Sequence, residues 1–312
     1  GHATFSNYIY IAIRRPMKTP ESGTEVFAID TSGVTAPTPP AFNSGFPVDM
    51  AFYKQTDGSS GFVSSRLTSN AWMALELTQA ETANAGFTFD FQDGWRNNTQ
   101  IAAYRYSWMF RRAPGFMDVV AYTTTTGNFT VPHNLNVAPE LMILKSRDNA
   151  FGWYVYHASR GPTKTLQLHT SGAELDFGGY WQSTSPDADN LYLSGQGGAY
   201  DYIAYLFATL PGVSKVGSYT GTGADLNVDC GFSAGARFIL IKRTDASGDW
   251  YVWDSARGIV SGNDPYLLLN STAAQVTNTD YIDPLASGFT VTSSAPAALN
   301  ASGGSYIFLA IA

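Results

Sequence analysis

Charge, cysteine and long apolar runs are all scarce in this chain, and each shortage excludes a class of protein. Asp, Glu, Lys and Arg together make up 14 % of the 312 residues, and the formal net charge is −7. A surface that binds nucleic acid needs clustered lysine and arginine to neutralise phosphates. The basic pairs here, such as Arg14 with Arg15 and Arg111 with Arg112, are isolated. We therefore expect no nucleic-acid partner.

Cys230 is the only cysteine, so no disulfide can form within the chain. Stability must come from apolar burial, hydrogen bonding or oligomerisation. No stretch approaches the roughly 20 consecutive apolar residues that a membrane-spanning helix requires. We therefore expect no insertion into a membrane.

Aromatic residues, by contrast, are plentiful. They make up 14 % of the chain within an apolar content of 44 %, a composition that argues against disorder. Glycine, serine, threonine and asparagine are abundant, and proline and glycine recur too often for a helix in most connections. The profile is typical of an all-β protein whose surface carries hydroxyl and amide groups.

The chain repeats itself with a period of 97 residues. Residues 122–161 align without a gap to residues 219–258, and such self-similarity sets the architecture. The aligned pairs are Tyr122 and Tyr219, Phe129 and Leu226, Val131 and Val228, Leu135 and Phe232, Lys145 and Lys242, Asp148 and Asp245, Trp153 and Trp250, and Arg160 and Arg257. A weaker first copy precedes them, in which Lys54, Asp57 and Phe62 have the spacing of Lys145, Asp148 and Trp153. An enzyme rarely needs three copies of one module, whereas a fibre or a multivalent binder often does.

A β-hairpin lies at the centre of each well-defined copy. Residues 153–157 and 250–254 are aromatic and β-branched runs, which suit a pleated sheet. Each run follows a turn that contains aspartate and glycine, and each turn follows another apolar strand. The pattern predicts that Trp153 and Trp250 occupy equivalent buried positions. It also suggests local ion pairs beside the turns, between Lys145 and Asp148 and at the corresponding place in the next copy.

Each unit closes on an aromatic strand, predicted at residues 104–110, 202–207 and 306–311. About seven short strands in about 97 residues is the size of a β-sandwich. The fold class that we predict is all-β, with tandem β-sandwich-like modules. The repeat units are residues 14–112, 113–209 and 210–312. Packing in a row and packing around a pseudo-threefold axis both remain open at this stage.

One copy of the closing strand is extra. Residues 8–13 resemble residues 306–311, yet they precede every unit that they could close. Residues 1–13 are therefore interpreted as an additional closing-type strand. Either the chain begins inside a preceding unit, or this strand pairs with a distant part of the molecule. An edge this apolar must be covered, because an exposed one invites aggregation.

The aromatic strand of the hairpin is the strongest candidate for a binding surface. Alternate side chains on a strand face opposite ways, so Tyr154 and Tyr156 share one face. In the next copy that face carries Tyr251 and Trp253. One stripe of each strand must be core, and the other offers a platform on which sugar rings could stack. The alternative is that these rings pack between modules or protomers, because large apolar patches are usually buried.

No catalytic constellation is visible. The four histidines are His2, His133, His157 and His169, and none recurs in register. Residues 187–190 contain part of a calcium-loop pattern, but the required glycine and the distant glutamate are absent. We expect no catalytic residues, no metal site and no cofactor.

Several segments together carry a resemblance to a known family. They read YIAIRRPMK at residues 10–18, FPVDM at 46–50, RRAPGF at 111–116, IKRTD at 241–245, GDWYV at 248–252 and NASGGSYI at 300–307. With them the chain resembles the uncharacterised C-terminal repeat region of large tail-associated and fibre-like proteins of marine bacteriophages. That region often follows a lectin-like jelly roll, and the resemblance covers essentially the whole chain.

The resemblance implies a location in the virion tail or fibre, outside the host cell, and a structural or host-contact role. The expected function is therefore a non-enzymatic structural and adhesion protein of a phage tail fibre or host-attachment appendage. Its expected partners are other virion proteins and a host cell-surface glycan or protein, and we expect a homo-oligomer, with a trimer favoured. The alternatives are a carbohydrate-binding or adhesin module of a bacterium and a fibre-borne glycan hydrolase.

Overall fold

The computed structural model describes residues 17–31, 40–68, 70–97, 105–195 and 197–312, and this part of the chain is almost entirely antiparallel β-sheet. The first unit contains a short 3-10 turn, η1 (Gly23–Glu25), and the strands β1 (Phe27–Thr31), β2 (Phe42–Asn43), β3 (Met50–Gln55), β4 (Phe62–Ser65), β5 (Ala71–Ala74), β6 (Thr82–Ala83), β7 (Gly94–Trp95) and β8 (Arg105–Phe110). The second unit contains β9 (Met117–Thr123), β10 (Asn128–Pro132), β11 (Leu141–Ser146), β12 (Tyr154–His157), β13 (Leu166–Gln167), β14 (Asn190–Ser194) and β15 (Asp201–Phe207). The third unit contains β16 (Ser214–Thr220), β17 (Leu226–Asp229), β18 (Phe238–Arg243), β19 (Trp250–Asp254), β20 (Leu267–Leu268), β21 (Ile282–Leu285), β22 (Gly288–Val291), α1 (Ala297–Asn300) and β23 (Ser305–Ile311). The all-β prediction is confirmed.

Each unit forms its own inner sheet, and the closing strand lies inside it. The strand orders are β1-β8-β3-β4-β5-β6, β13-β12-β11-β15-β9 and β16-β23-β18-β19-β20. In every case the closing strand pairs with the first strand of its unit on one side and with the hairpin on the other. The predicted closing strands are confirmed where the structure describes them. Residues 1–13, the extra closing-type strand, lie outside the described residues.

One face of each inner sheet packs into a core that all three units share. Rings from different units meet there: Phe110 lies 5.6 Å from Phe207 and 6.1 Å from Phe238, and Phe27 lies 5.4 Å from Phe238. The first unit therefore contacts both others, and the sheets surround a common core. This arrangement, rather than a row, is what the described residues form.

The other face of each inner sheet is covered by a smaller outer sheet. The outer sheets are β2-β7, β10-β14 and β17-β22-β21. They enclose three separate outer cores, one in each unit. Strict alternation places Leu141 and Ile143 in the central core and Met142 and Leu144 in the outer core of the second unit. Each unit is thus a small β-sandwich, and both faces of its inner sheet are buried.

Three fully buried lysines connect the units in a ring. Lys54 donates to the carbonyl of Ser271 in the third unit (2.6 Å), and Lys145 donates to that of Thr78 in the first (3.1 Å). Lys242 donates to the carbonyl of Gly172 in the second unit (2.8 Å). Burial lowers the pKa of each of these ammonium groups to about 8. Each unit therefore docks a lysine on its neighbour.

The expected ion pairs beside the hairpin turns are not formed, and this corrects the sequence interpretation. Among the described residues, Lys145 and Lys242 bond to backbone carbonyls instead. Asp148 accepts from Ser146 and from the N–H of Asp201, while Asp245 pairs with Arg243. A buried ammonium needs several acceptors, and the carbonyls of two units supply them.

Backbone hydrogen bonds repeat the same cyclic connection. The donors come after β5, β13 and β20, which are the strands that follow each hairpin. The acceptors lie in the hairpin turn of the next unit around the ring. The pairs are Glu81 N–H to Arg147 O (2.7 Å), Glu174 N–H to Thr244 O (2.8 Å) and Gln275 N–H to Thr56 O (3.0 Å).

Two tryptophans reinforce this ring, and both are buried, as the sequence predicted. Trp153 and Trp250 are 0 % and 1 % exposed. The indole of Trp153 donates to the carbonyl of Ala74 in the first unit (2.9 Å), and that of Trp250 donates to the carbonyl of Gln167 in the second (3.0 Å).

The first unit has no tryptophan at this place, and its alignment needs a correction. Phe62 pairs with Tyr53 as Tyr154 pairs with Leu144, so Phe62 corresponds to Tyr154 and not to Trp153. Gly61 stands at the tryptophan position. The reason is that the connection in this hairpin is one residue shorter, which the spacing from Lys54 does not reveal.

Candidate ligand-binding surface

The outer sheets cover most of the aromatic stripe that the sequence singled out. Tyr156, Tyr251 and Trp253 are 2 %, 8 % and 0 % exposed, because their side chains lie in the outer cores of the second and third units. Tyr154 alone keeps a half-buried ring. The four residues therefore do not form the exposed platform that the alternation of side chains along the strand suggested. The accessible aromatic surface lies around the ends of this stripe.

Tyr154 is the inner member of an aromatic cluster at the edge of the second unit. Its ring stacks on Tyr180 at 3.8 Å, and Tyr180 meets Phe177 edge-on at 5.0 Å. Phe177 is 47 % exposed, so the cluster opens to solvent. A hydrogen bond joins Tyr180 to Tyr154, and burial, the largest cause, raises the pKa of Tyr180. The Tyr180 phenol therefore stays neutral at physiological pH, and the cluster presents both apolar rings and hydroxyl groups.

A strained loop holds Tyr180 in this position. Gln182 and Ser183 follow it with φ angles of 51° and 49°, in the left-handed region that non-glycine residues rarely adopt. The amide of Gln182 donates to the carbonyls of Phe129 (2.8 Å) and Leu193 (2.6 Å). These bonds to the outer sheet compensate for the strain and fix the loop.

The third unit has a corresponding cluster. Tyr266 lies 5.2 Å from Tyr251 and 5.8 Å from Tyr281, and both Tyr266 and Tyr281 are half-buried. The charge of Asp249 lies close enough to Tyr251 and Tyr266 to raise their pKa values further, after burial. Asp249 accepts from the side-chain amide of Asn270 (2.8 Å). The cluster thus combines aromatic rings with a carboxylate that can accept from a hydroxyl group.

A buried carboxyl positions the outer ring of that cluster. Asp264 is fully buried, and its Oδ1 accepts from the backbone N–H of Tyr281 (2.9 Å). Burial raises the pKa of Asp264 to about 7, and the nearby charge of Asp280 acts in the same direction.

The first unit carries a third cluster at the equivalent edge. Phe62 stacks on Tyr53 at 4.2 Å and meets Trp72 at 5.4 Å, and Phe62 and Trp72 are both half-buried. Phe62 corresponds to Tyr154 and Tyr251 through its pairing within the hairpin. The fold therefore places one partly exposed aromatic cluster at the same position in every unit.

The sequence missed the outer members of these clusters, because they lie outside the aligned hairpin. Tyr180 and Tyr281 follow loops of different length, and Trp72 stands on β5, outside the hairpin. The signal that could have found them is their aromatic character next to a short outer strand.

The contact between His157 and Ser159 is a turn cap. Nδ1 of His157 accepts from the backbone N–H of Ser159 (3.2 Å) and lies 2.9 Å from its hydroxyl. Asp254 caps the equivalent turn of the third unit by accepting from the N–H of Ala256 (3.0 Å). Burial lowers the pKa of His157 to about 4, which makes it a poor base for activating a hydroxyl.

Metal-binding clusters and membrane-crossing helices are both absent from the described residues. No group of three or more His, Cys, Asp or Glu side chains there is placed to hold a metal ion. Among the described helices, none has the length and apolar character that crossing a membrane requires.

Comparison with known families gives one match. The family described as a domain of unknown function, DUF7483, matches residues 109–312, and the chain belongs to it. The matched range contains the second and third units complete. No curated protein matches the chain.

Proposed function

We propose that this chain is a non-enzymatic adhesion module of a bacteriophage tail fibre or host-attachment appendage, which binds glycans of the host surface through its three aromatic clusters. It acts outside the host cell, in the virion, with other virion proteins as its structural partners. The observation that carries the proposal is the recurrence of one partly exposed aromatic cluster in every unit.

Aromatic rings beside hydroxyl and carboxylate groups suit sugars, whose rings have an apolar face and a polar rim. A sugar ring stacked on Tyr180 could also bond to the neighbouring phenols, and one stacked in the third unit's cluster could bond to Asp249, which lies near Tyr251 and Tyr266. Each such contact is weak. Three of them on one rigid body bind a dense glycan surface with an avidity well above the single affinity.

The ring of lysines, tryptophans and backbone bonds supports this role. It fixes the three clusters relative to one another, so little entropy is lost when the second and third clusters engage. The phage assignment rests on the resemblance of the six sequence segments, and oligomerisation as a trimer would multiply the clusters again.

A glycan array with the isolated protein tests the proposal. The variants Trp72→Ala, Tyr180→Ala and Tyr281→Ala each remove one cluster, and Tyr192→Ala is the control. The hydroxyl of Tyr192 donates to Asp187, and Tyr192 is a member of none of the three clusters. We expect stepwise loss of binding across single, double and triple variants and no change in the control.

Binding that survives in a folded triple variant, or a wild-type protein that binds no glycan, would refute the proposal. Release of reducing ends from a bound polysaccharide would identify a hydrolase instead. Light scattering on the same samples measures the oligomeric state, and a trimer is the expected result.

A further inference from the structure

A recess of about 460 Å³ lies between the second and third units, away from the aromatic clusters. Glu140, His157 and Ser159 line it from the second unit, and Lys215, Asn227 and Asp229 line it from the third. Its volume is within the range of small-molecule binding sites. We call it the 2–3 recess.

Arginine side chains of the protein bridge the same corner between the first and second units. Arg112 pairs with Asp118 at 2.5 Å, and its backbone N–H donates to Asp49 at 2.8 Å. Arg66 reaches the other oxygen of Asp49 at 3.3 Å. Ion pairs thus bridge this corner, and a recess of about 380 Å³ remains beside Arg112 and Asp118.

Arginine side chains also bridge the corner between the third and first units. The guanidinium of Arg237 lies 5.6 Å from the centre of the Phe27 ring, and it donates to the Phe27 carbonyl at 3.3 Å. Arg257, which is almost fully buried, pairs with Asp254 at 2.6 Å. Arginine side chains therefore bridge two of the three related corners.

The 2–3 recess is open because the arginine is replaced. The repeat places Thr209 where the previous corner has Arg112, and the backbone bond is kept, since Thr209 N–H donates to Glu140 at 2.6 Å. Threonine is too short to fill the corner. Lys215 takes the place in the third unit that Asp118 has in the second. None of the described acidic side chains forms an ion pair with Lys215.

The polar groups of the recess have free capacity of both kinds. Asp229 uses Oδ1 for the N–H of Gly231, which leaves Oδ2 to accept from a hydroxyl group. Asn227 uses its carbonyl oxygen for Thr290, which leaves its NH₂ group to donate. The unpaired ammonium of Lys215 suits a carboxylate.

We propose that the 2–3 recess binds an acidic sugar residue, with its carboxylate on Lys215 and its hydroxyl groups on Asp229 and Asn227. This inference rests on the proposed function and names the class of glycan that the third unit selects. The aromatic clusters then supply avidity for the chain of sugars, and the recess supplies preference for a uronic acid.

Titration calorimetry with a glucuronate-containing disaccharide and its neutral glucose counterpart tests this. We expect the wild type to prefer the acidic disaccharide by about tenfold or more, the usual size of a charge-assisted contact. Lys215→Ala should remove that preference. Lys18→Ala is the matched control, because Lys18 is exposed and does not line the recess.

A second variant tests whether the open space of the recess is needed, in addition to the charge of Lys215. The double change Thr209→Arg with Lys215→Asp rebuilds the pair of Arg112 and Asp118, so it should fill the recess and abolish acidic binding while the melting temperature is kept. Equal binding of both disaccharides by the wild type, no binding of either, or unchanged preference in Lys215→Ala overturns the inference.

The outcomes separate this inference from the proposed function. If the aromatic variants abolish array binding while Lys215→Ala changes nothing, the clusters bind glycan and the recess does not. If Lys215→Ala abolishes acidic binding while the aromatic variants have no effect, the recess is a site and the clusters are not.

Discussion

Replacing Trp153 by alanine should destabilise the whole protein, although the residue belongs to one unit. Its indole is fully buried in the shared core, and its N–H bonds to the carbonyls of Ala74 (2.9 Å) and Leu77 (3.1 Å) in the first unit. Truncation of a buried aromatic to alanine costs about 3–5 kcal/mol. Leaving two carbonyls without their donor adds about 1 kcal/mol. We expect a loss of about 4–6 kcal/mol in the free energy of unfolding.

Urea denaturation at 25 °C, followed by far-ultraviolet circular dichroism, measures this loss. Trp153→Phe separates the two contributions, because it keeps most of the apolar volume and loses the hydrogen bonds, so a cost of about 1–2 kcal/mol is expected. Trp72→Ala is the control, since Trp72 is half-buried and outside the shared core. A loss below about 1 kcal/mol for Trp153→Ala would refute the reasoning and would mean that the site collapses or hydrates without cost.

Two further predictions rest on the structure and one on the sequence. Folding raises the pKa of Asp264 from 3.8 to about 7, so its contribution to stability is fully present below pH 3.8 and is lost as the pH rises through 7. Between pH 4 and 8, the stability of Asp264→Asn relative to wild type should therefore rise, on the order of 3–4 kcal/mol, and a flat difference in urea midpoints would contradict this. Deleting residues 1–13 should lower the melting temperature or break the oligomer and promote aggregation, because that apolar strand is expected to dock by β-augmentation; unchanged melting, mass and solubility would show that it is dispensable. Residues 210–312 alone should not fold as a monomer, since one face of the inner sheet would be exposed; a dispersed NMR spectrum with a cooperative melt would show the opposite.

The strands of a unit were accessible from the sequence. Alternating apolar residues and a gapless repeat predicted the hairpins and the closing strands, and these patterns are local. Trp153 and Trp250 were predicted as buried because the same turn precedes both. Local pattern failed in the first unit, where a connection one residue shorter moved Phe62 to the opposite face.

The candidate surface was only partly predictable. Tyr154 was identified from strand alternation, but alternation cannot tell which face is covered by a second sheet. The outer strands that bury Tyr156 and Trp253 come from residues 24–38 positions away in the chain, so their contact is not a local property. The 2–3 recess was equally hidden, because it depends on Thr209 and Lys215 meeting the second unit in space.

The sequence by itself determined the all-β class, the three units and the absence of a disulfide framework, because composition, strand period and repeat length are properties of neighbouring residues. Only the tertiary structure decided that the units close into a ring around one core. It also decided that Lys145 and Lys242 bond to carbonyls of another unit rather than to the aspartates beside them. The physical reason is that a buried ammonium and a buried aromatic face take whichever partners the packing of distant segments supplies, and only the folded chain brings those segments together.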